Sequence, residues 1–113
     1  MTARNKLMIT PPYAVEQSLK RLGADLRTAR LRRNLTLDDV AEKIGTSRRV
    51  VADAEKGKPS TAAGVYTAML WAVDLLAQLD EVARPENDAE GQTLALSTER
   101  ARARVKTELS NDF

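Results

Sequence analysis

Neither cysteine nor histidine occurs anywhere in this 113-residue chain. Without cysteine no disulfide framework can form, so nothing in the composition points to an oxidising compartment. Without either residue, zinc fingers, haem ligation through those side chains, and catalysis by a histidine base or a cysteine nucleophile are excluded. Aromatic residues are scarce too: one Trp, two Tyr and one Phe. That scarcity argues for helices over a β-sandwich, whose strands favour aromatic and β-branched residues. No apolar run approaches the ~20 residues of a membrane span. The stretch from Met1 to Thr10 is too short in apolar residues, before Pro11 and Pro12, for a signal peptide. The expected location is therefore the cytoplasm.

What the chain does have is Leu, Val, Ala and a few Met, enough for one small hydrophobic core and some tail. Its net charge of +2 conceals a segregation. Residues 1–60 carry 13 Lys/Arg against 7 Asp/Glu, residues 61–97 carry Arg84 against six acids, and residues 98–113 add one net positive charge. A solvated surface of uneven charge has this pattern, and so does a protein that turns one face toward a polyanion.

Residues 1–10 read as a loose N-terminal arm. From Pro12 to Arg33, Val15, Leu19, Leu22, Leu26, Ala29 and Leu31 fall largely at helical spacing, and Asn34 is a plausible left-handed stop. Thr36 with Asp39 three residues on forms a capping-box pattern for a helix over Leu37–Ile44, ended by Gly45. Ser47 caps a helix over Arg48 to about Lys56, broken by Gly57-Lys58-Pro59. Ser60 or Thr61 caps a fourth helix to about Val73. A fifth runs from about Leu75 to Ala83 with Leu75, Leu76, Leu79 and Val82 on one side. After a loop at residues 84–88, a short helix to Leu96 precedes a mobile tail in which Arg100, Arg102, Arg104 and Lys106 alternate with Ala and Val.

Residues 37–56 hold what two steeply crossing helices need: small Ala41 at the crossing and Gly45 in the turn, where positive φ costs glycine nothing. Val40 and Ile44 face inward on one helix, and Val51 and Ala54 on the other. A generic helical hairpin can share that spacing. Residues 26–76, a little under half of the chain, resemble the DNA-binding domain of the lambdoid phage repressor and Cro family, also called the Xre family. The run Lys43-Ile-Gly-Thr-Ser-Arg-Arg-Val-Val-Ala-Asp-Ala-Glu-Lys-Gly-Lys58 follows that pattern almost throughout. The layout after it, with Leu70-Trp-Ala-Val-Asp-Leu-Leu-Ala-Gln-Leu79 and a basic tail, is similar to HipB-like antitoxins.

The resemblance implies an all-α, five-helix lambda-repressor-like helix-turn-helix domain over residues 11–84, with a flexible C-terminal extension over residues 85–113. It implies a cytoplasmic, autoregulatory transcriptional repressor that binds a pseudo-palindromic operator in double-stranded DNA as a homodimer. The antitoxin of a toxin–antitoxin pair is a narrower form of this reading. A protein-interaction module that neutralises a partner, with DNA binding secondary, is the alternative. The base-contacting candidates are Arg48, Arg49, Val50 and Asp53. Arginine bonds guanine O6 and N7 together, while a carboxylate at Asp53 either accepts from cytosine N4 or orients Arg49 at i−4. Ser47, Lys56 and Lys58 are phosphate candidates. Arg30 and Glu55 match positions that form a salt bridge in relatives, the other option being an Arg30–phosphate contact. Leu37 departs from the family, which commonly has a polar residue there. Tyr66 and Trp71 read as core or dimer residues, and Trp71, Leu75, Leu79 and Val82 as a dimer or partner surface.

Enzymatic readings find little support. Gly57-Lys58 invites a P-loop comparison, but Ala52 replaces the first glycine and Pro59 the Ser/Thr. No nucleophile-elbow motif and no distinct carboxylate pair is present, and the pattern implies no cofactor or metal.

Overall fold

A computed structural model describes residues 5–111. Six α-helices follow one another: α1 (Lys6–Ile9), α2 (Tyr13–Arg32), α3 (Leu37–Ile44), α4 (Arg48–Glu55), α5 (Ala63–Ala72) and α6 (Ala89–Asn111). Two 3₁₀ turns, Leu76–Glu81 and Pro85–Asn87, lie between α5 and α6. The described residues contain no strand. The chain divides into two compact units, one up to Leu79 and one from Asp80.

The core of the first unit takes its residues from four helices: Leu26 and Ala29 of α2, Val40 and Ala41 of α3, Val51 and Ala54 of α4, and Tyr66, Met69 and Ala72 of α5, with Val73 after it. Val51 and Ala54 are wholly inaccessible and mark its centre. Val15 and Leu31 are instead exposed, against expectation. Leu31 lies on the far side of α2 from Leu26. Val15 shares Leu26's face but stands eleven residues earlier, about 16 Å along the helix and beyond the core.

Helices α2 to α5 all end the same way. A residue in the left-handed region follows each (Asn34, φ 56°; Gly45, φ 81°; Gly57, φ 72°; Asp74, φ 60°). The next amide then donates back across the turn: Leu35 to Arg30 (3.2 Å), Thr46 to Ala41 (2.9 Å), Lys58 to Asp53 (3.3 Å) and Leu75 to Leu70 (2.8 Å). This is the Schellman closure, which satisfies carbonyls that the helix leaves without partners. Starts are less uniform. Thr36 and Ser47 cap α3 and α4 through their side chains. For α5 the cap position is Ala62, without a side-chain bond, and not Ser60 or Thr61. The Thr61 amide bonds the Lys58 carbonyl at 3.1 Å, so that residue belongs to the preceding turn.

Two glycines allow α4 to end against the backbone of α2. A Cβ on Gly23 would lie 2.5 Å from the Glu55 carbonyl oxygen, and one on Gly57 would collide with the Leu19 carbonyl. Beside this contact lies a buried ion pair. Arg30 Nε donates to Glu55 Oε2 at 2.7 Å, one terminal nitrogen to Glu55 Oε1 at 2.9 Å, and the other to the Leu35 carbonyl at 2.8 Å. The hydrogen bonds to Glu55 hold the Arg30 pKa above its already high ordinary value. Further ties come from Tyr66, whose hydroxyl donates to the Lys58 carbonyl at 3.0 Å, and from Lys43, whose ammonium donates to the Ala72 carbonyl at 3.2 Å and lies 5.4 Å from the Trp71 ring centre.

The second unit differs most from expectation. Where a short helix and a loose tail were expected, one helix runs from Ala89 to Asn111. The Asp88 carboxylate accepts from the Gly91 amide at 3.0 Å at its start. The expected fifth helix is replaced by the 3₁₀ turn Leu76–Glu81, which straddles the boundary between the units. The short α1, with Asn5 accepting from the Leu7 amide, lies within the stretch expected to be loose.

The pair predicts an asymmetry in mutants. Glu55→Ala should cost about 3–5 kcal/mol in urea unfolding, because it strands a buried guanidinium, whereas replacing Arg30 and Glu55 together by Met and Leu should cost far less. Equal losses in the single and double variants would refute the assignment.

Candidate nucleic-acid interface

Helix α3, the turn Gly45–Ser47 and helix α4 form two short helices joined across a left-handed glycine. A Cβ on Gly45 would meet nothing within 4 Å, so its φ of 81° and not crowding selects glycine there. Thr36 and Asp39 form a reciprocal box at the start of α3. The Asp39 amide donates to Thr36 Oγ1 at 3.0 Å, and the Thr36 amide donates to Asp39 Oδ2 at 2.8 Å. The backbone bond from Thr36, then its side-chain bond, hold the Asp39 carboxyl below the ordinary aspartate range. Leu37, where a polar residue was noted as the commoner choice, is half-buried and packs against the core.

At the start of α4 the Ser47 hydroxyl accepts from the Val50 amide at 3.3 Å, which leaves its hydrogen available to an outside acceptor. Arg48 and Arg49 follow, both exposed. The Arg48 guanidinium lies 3.8 Å from the Asp38 carboxylate, and Arg49 makes no ion pair among the described residues. Val50 is half-buried and, with Thr46, Asp53, Ser60, Thr61, Ala62 and Val65, lines a cleft beside α4.

Asp53 does not orient Arg49. Its carboxylate pairs with the Lys58 ammonium at 3.1 Å, because the closing turn at Gly57 folds Lys58 back over the end of α4. Of the two lysine candidates, Lys58 is thus held by an internal carboxylate, while Lys56 is exposed and makes no ion pair among the described residues. Arg30 and Glu55 lie at the opposite, buried end of α4, with side chains 9% and 6% exposed, so Arg30 does not face solvent phosphate.

The proposed dimer residues separate. Trp71 is half exposed, Leu75 is half-buried against the core and Leu79 is partly exposed. Val82 is exposed but belongs to the second unit. Tyr66 is buried in the core, where desolvation raises its pKa. Sequence reading overlooked Gly23 and the pairing of Asp38 with Arg48. A glycine inside a helical pattern is itself a sign of close backbone approach, whereas nothing local marks Asp38 as facing Arg48 ten residues on.

Among the described residues no group of three or more acidic side chains converges as a metal site, and no helix is long and apolar enough to cross a membrane. Residues 21–84, more than half of the chain, match a family described as a helix-turn-helix domain. No curated protein and no solved structure matches the chain.

The capping box sets a pH dependence. The folded Asp39 pKa is depressed, so its stabilisation is complete above the unfolded value near ~3.9 and is lost as pH falls through the folded value. Carboxyl NMR titration should place Asp39 below the other exposed aspartates. Thr36→Ala should raise it and cost about 1 kcal/mol of stability. An unshifted Asp39 would contradict the box.

Proposed function

The chain belongs to the helix-turn-helix domain family, and we propose that it is a sequence-specific transcriptional repressor of the lambdoid repressor and Cro type, reading the major groove with α4. The observation that carries this reading is the pair Arg48–Arg49. The two arginines stand exposed at the N-terminal end of a helix whose other end is locked into the core. Arg49 is the principal reader, since its guanidinium is unpaired among the described residues and fits the two acceptors of guanine. Arg48 reads an adjacent base or phosphate. Ser47 and Lys56 bond the backbone, which fixes register without reading sequence.

One such helix covers only a few base pairs. Two copies with recognition helices about 34 Å apart would read successive major-groove faces of a pseudo-palindrome. The surface around Trp71, Leu75 and Leu79 is our choice for that dimer. Its nearby acid Asp74 favours placement away from phosphates.

A second reading, that the protein also holds a partner such as a toxin, draws on α6. Leu94, Val105 and Leu109 are exposed along one face of that helix, more than half accessible each. Leu94→Glu with Val105→Glu should abolish copurification with the product of the neighbouring gene if that product is the partner, and should leave DNA binding intact.

Selection from a random duplex pool, followed by gel shifts on the enriched sequence and on the gene's own promoter, tests the repressor reading. Arg49→Ala should cost about 1–3 kcal/mol of preference for the enriched site over random DNA. Lys56→Ala should weaken both alike and lower the salt slope by about one. An Arg49→Ala protein with full preference would show that α4 does not read bases through this residue.

A further inference from the structure

Two of the cations on the groove-facing side of the motif carry internal carboxylates, and they come from different elements. Arg48 lies 3.8 Å from Asp38, a residue of the first turn of α3, and both side chains are about two-thirds exposed or more. Lys58 lies 3.1 Å from Asp53 on α4 itself. Neighbouring Asp39 is turned back to the Thr36 amide and takes no part. Arg49, between the two pairs, has no such partner among the described residues.

We propose that Asp38 and Asp53 oppose DNA, each by occupying a cation that must be released before it can reach a phosphate or a base, and that Asp53 also screens the bases beside it. The inference rests on the DNA reading above. A random duplex offers Arg48 or Lys58 only a phosphate, which exchanges one exposed anion for another while the displaced carboxylate is left facing the polyanion. A matched site adds the two-point contact of arginine with guanine, at the same cost of release. Asp53 adds a filter of its own. Ionised, it accepts hydrogen bonds and cannot donate them. At the cleft it shares with Thr46 and Val50 it tolerates the amino groups of cytosine and adenine and repels guanine O6 and thymine O4. Asp38 therefore lowers binding to both duplexes alike, whereas Asp53 lowers it most where a duplex presents guanine O6 or thymine O4, which raises the preference for the matched site.

Asp38→Asn and Asp53→Asn test this in the full-length protein. Asp25→Asn on α2, an exposed acid without an ion pair among the described residues, controls for the identical change in net charge. The probes are the duplex enriched with wild-type protein and a random duplex of equal length, titrated over a range of salt. Each of the two variants should bind the random duplex about two- to fivefold more tightly, the effect of freeing one exposed pair. Asp38→Asn should gain equally on the enriched duplex and keep the preference, Asp53→Asn should gain less there and lose part of it, and Asp25→Asn should gain less on both. Unchanged random-duplex binding, a preference lost in Asp38→Asn or kept whole in Asp53→Asn, or the same effect from Asp25→Asn overturns the proposal. A wild-type protein that enriches no duplex removes the repressor reading and this inference with it. Enrichment by wild type with unchanged random-duplex binding in both variants removes this inference alone.

Discussion

The ion pair between Arg30 and Glu55 is the constraint on which the rest of the first unit depends. A carboxylate at the last position of α4 opposes the helix dipole, and α4 has no basic residue in its last turn. Arg30 supplies the missing cation from α2 and uses its remaining terminal nitrogen on the Leu35 carbonyl, in the turn that leads to α3. One guanidinium thereby joins α2, the start of the motif and the end of α4. A buried pair of this kind contributes little to stability compared with an apolar filling. Its directional bonds act together with the close backbone approach at Gly23 and the burial of Val51 and Ala54 to fix how α4 is rotated about its axis. Among the described residues no buried side-chain polar atom lacks a partner, so the pair is not paid for by a vacancy elsewhere.

That rotation decides which residues α4 presents to solvent. With Val51 and Ala54 at the centre of the core and Glu55 held by Arg30, Arg49 and Asp53 fall on the outer side. Helix α4 is eight residues long, so clamping one end orients the other within two turns. On the proposed reading, stability and recognition sit at opposite ends of the same short helix. Gly57 is needed at the clamped end for two reasons, its left-handed φ and its contact with the Leu19 carbonyl. Gly45, before the start of α4, is needed for its φ alone.

Much of this was legible from local chemistry. Asn34, Gly45 and Gly57 announce helix ends because Asn and Gly enter the left-handed region cheaply, and Thr36 with Asp39 announces a beginning. Asp74, which ends α5 in the same conformation, carries no comparable signal. The unexpected length of α6 has a physical reason. Arg100 with Arg104, and Arg102 with Lys106, are like charges at i,i+4, a pattern that weakens a helix, while the Ala, Leu, Glu and Arg around them are good helix formers. The alternation of basic and small residues concealed that propensity. Within the candidate site, positions along α3 and α4 were readable and pairings were not. Asp53 and Arg49 have the right spacing for each other. The closing turn nevertheless returns Lys58 to the same carboxylate, a contact made by chain reversal that helix periodicity does not contain.

Charge counted along the sequence therefore overstates the positive potential at the motif. The excess of basic residues before position 60 includes Arg30, spent in the core, and Lys20, paired with Glu16 at 2.9 Å. Arg48 and Lys58 face carboxylates, which leaves Arg49 and Lys56 as the cations of α4 and its end without ion pairs among the described residues. A surface with so few free cations gains little from counterion release, the term that dominates non-specific binding. On the proposed repressor reading, affinity then comes from matched base contacts and from joining two copies on one duplex, since neither long-range attraction nor a single short helix supplies enough. On the proposed reading, the paucity of free charge and a two-fold site are one physical requirement seen from two sides.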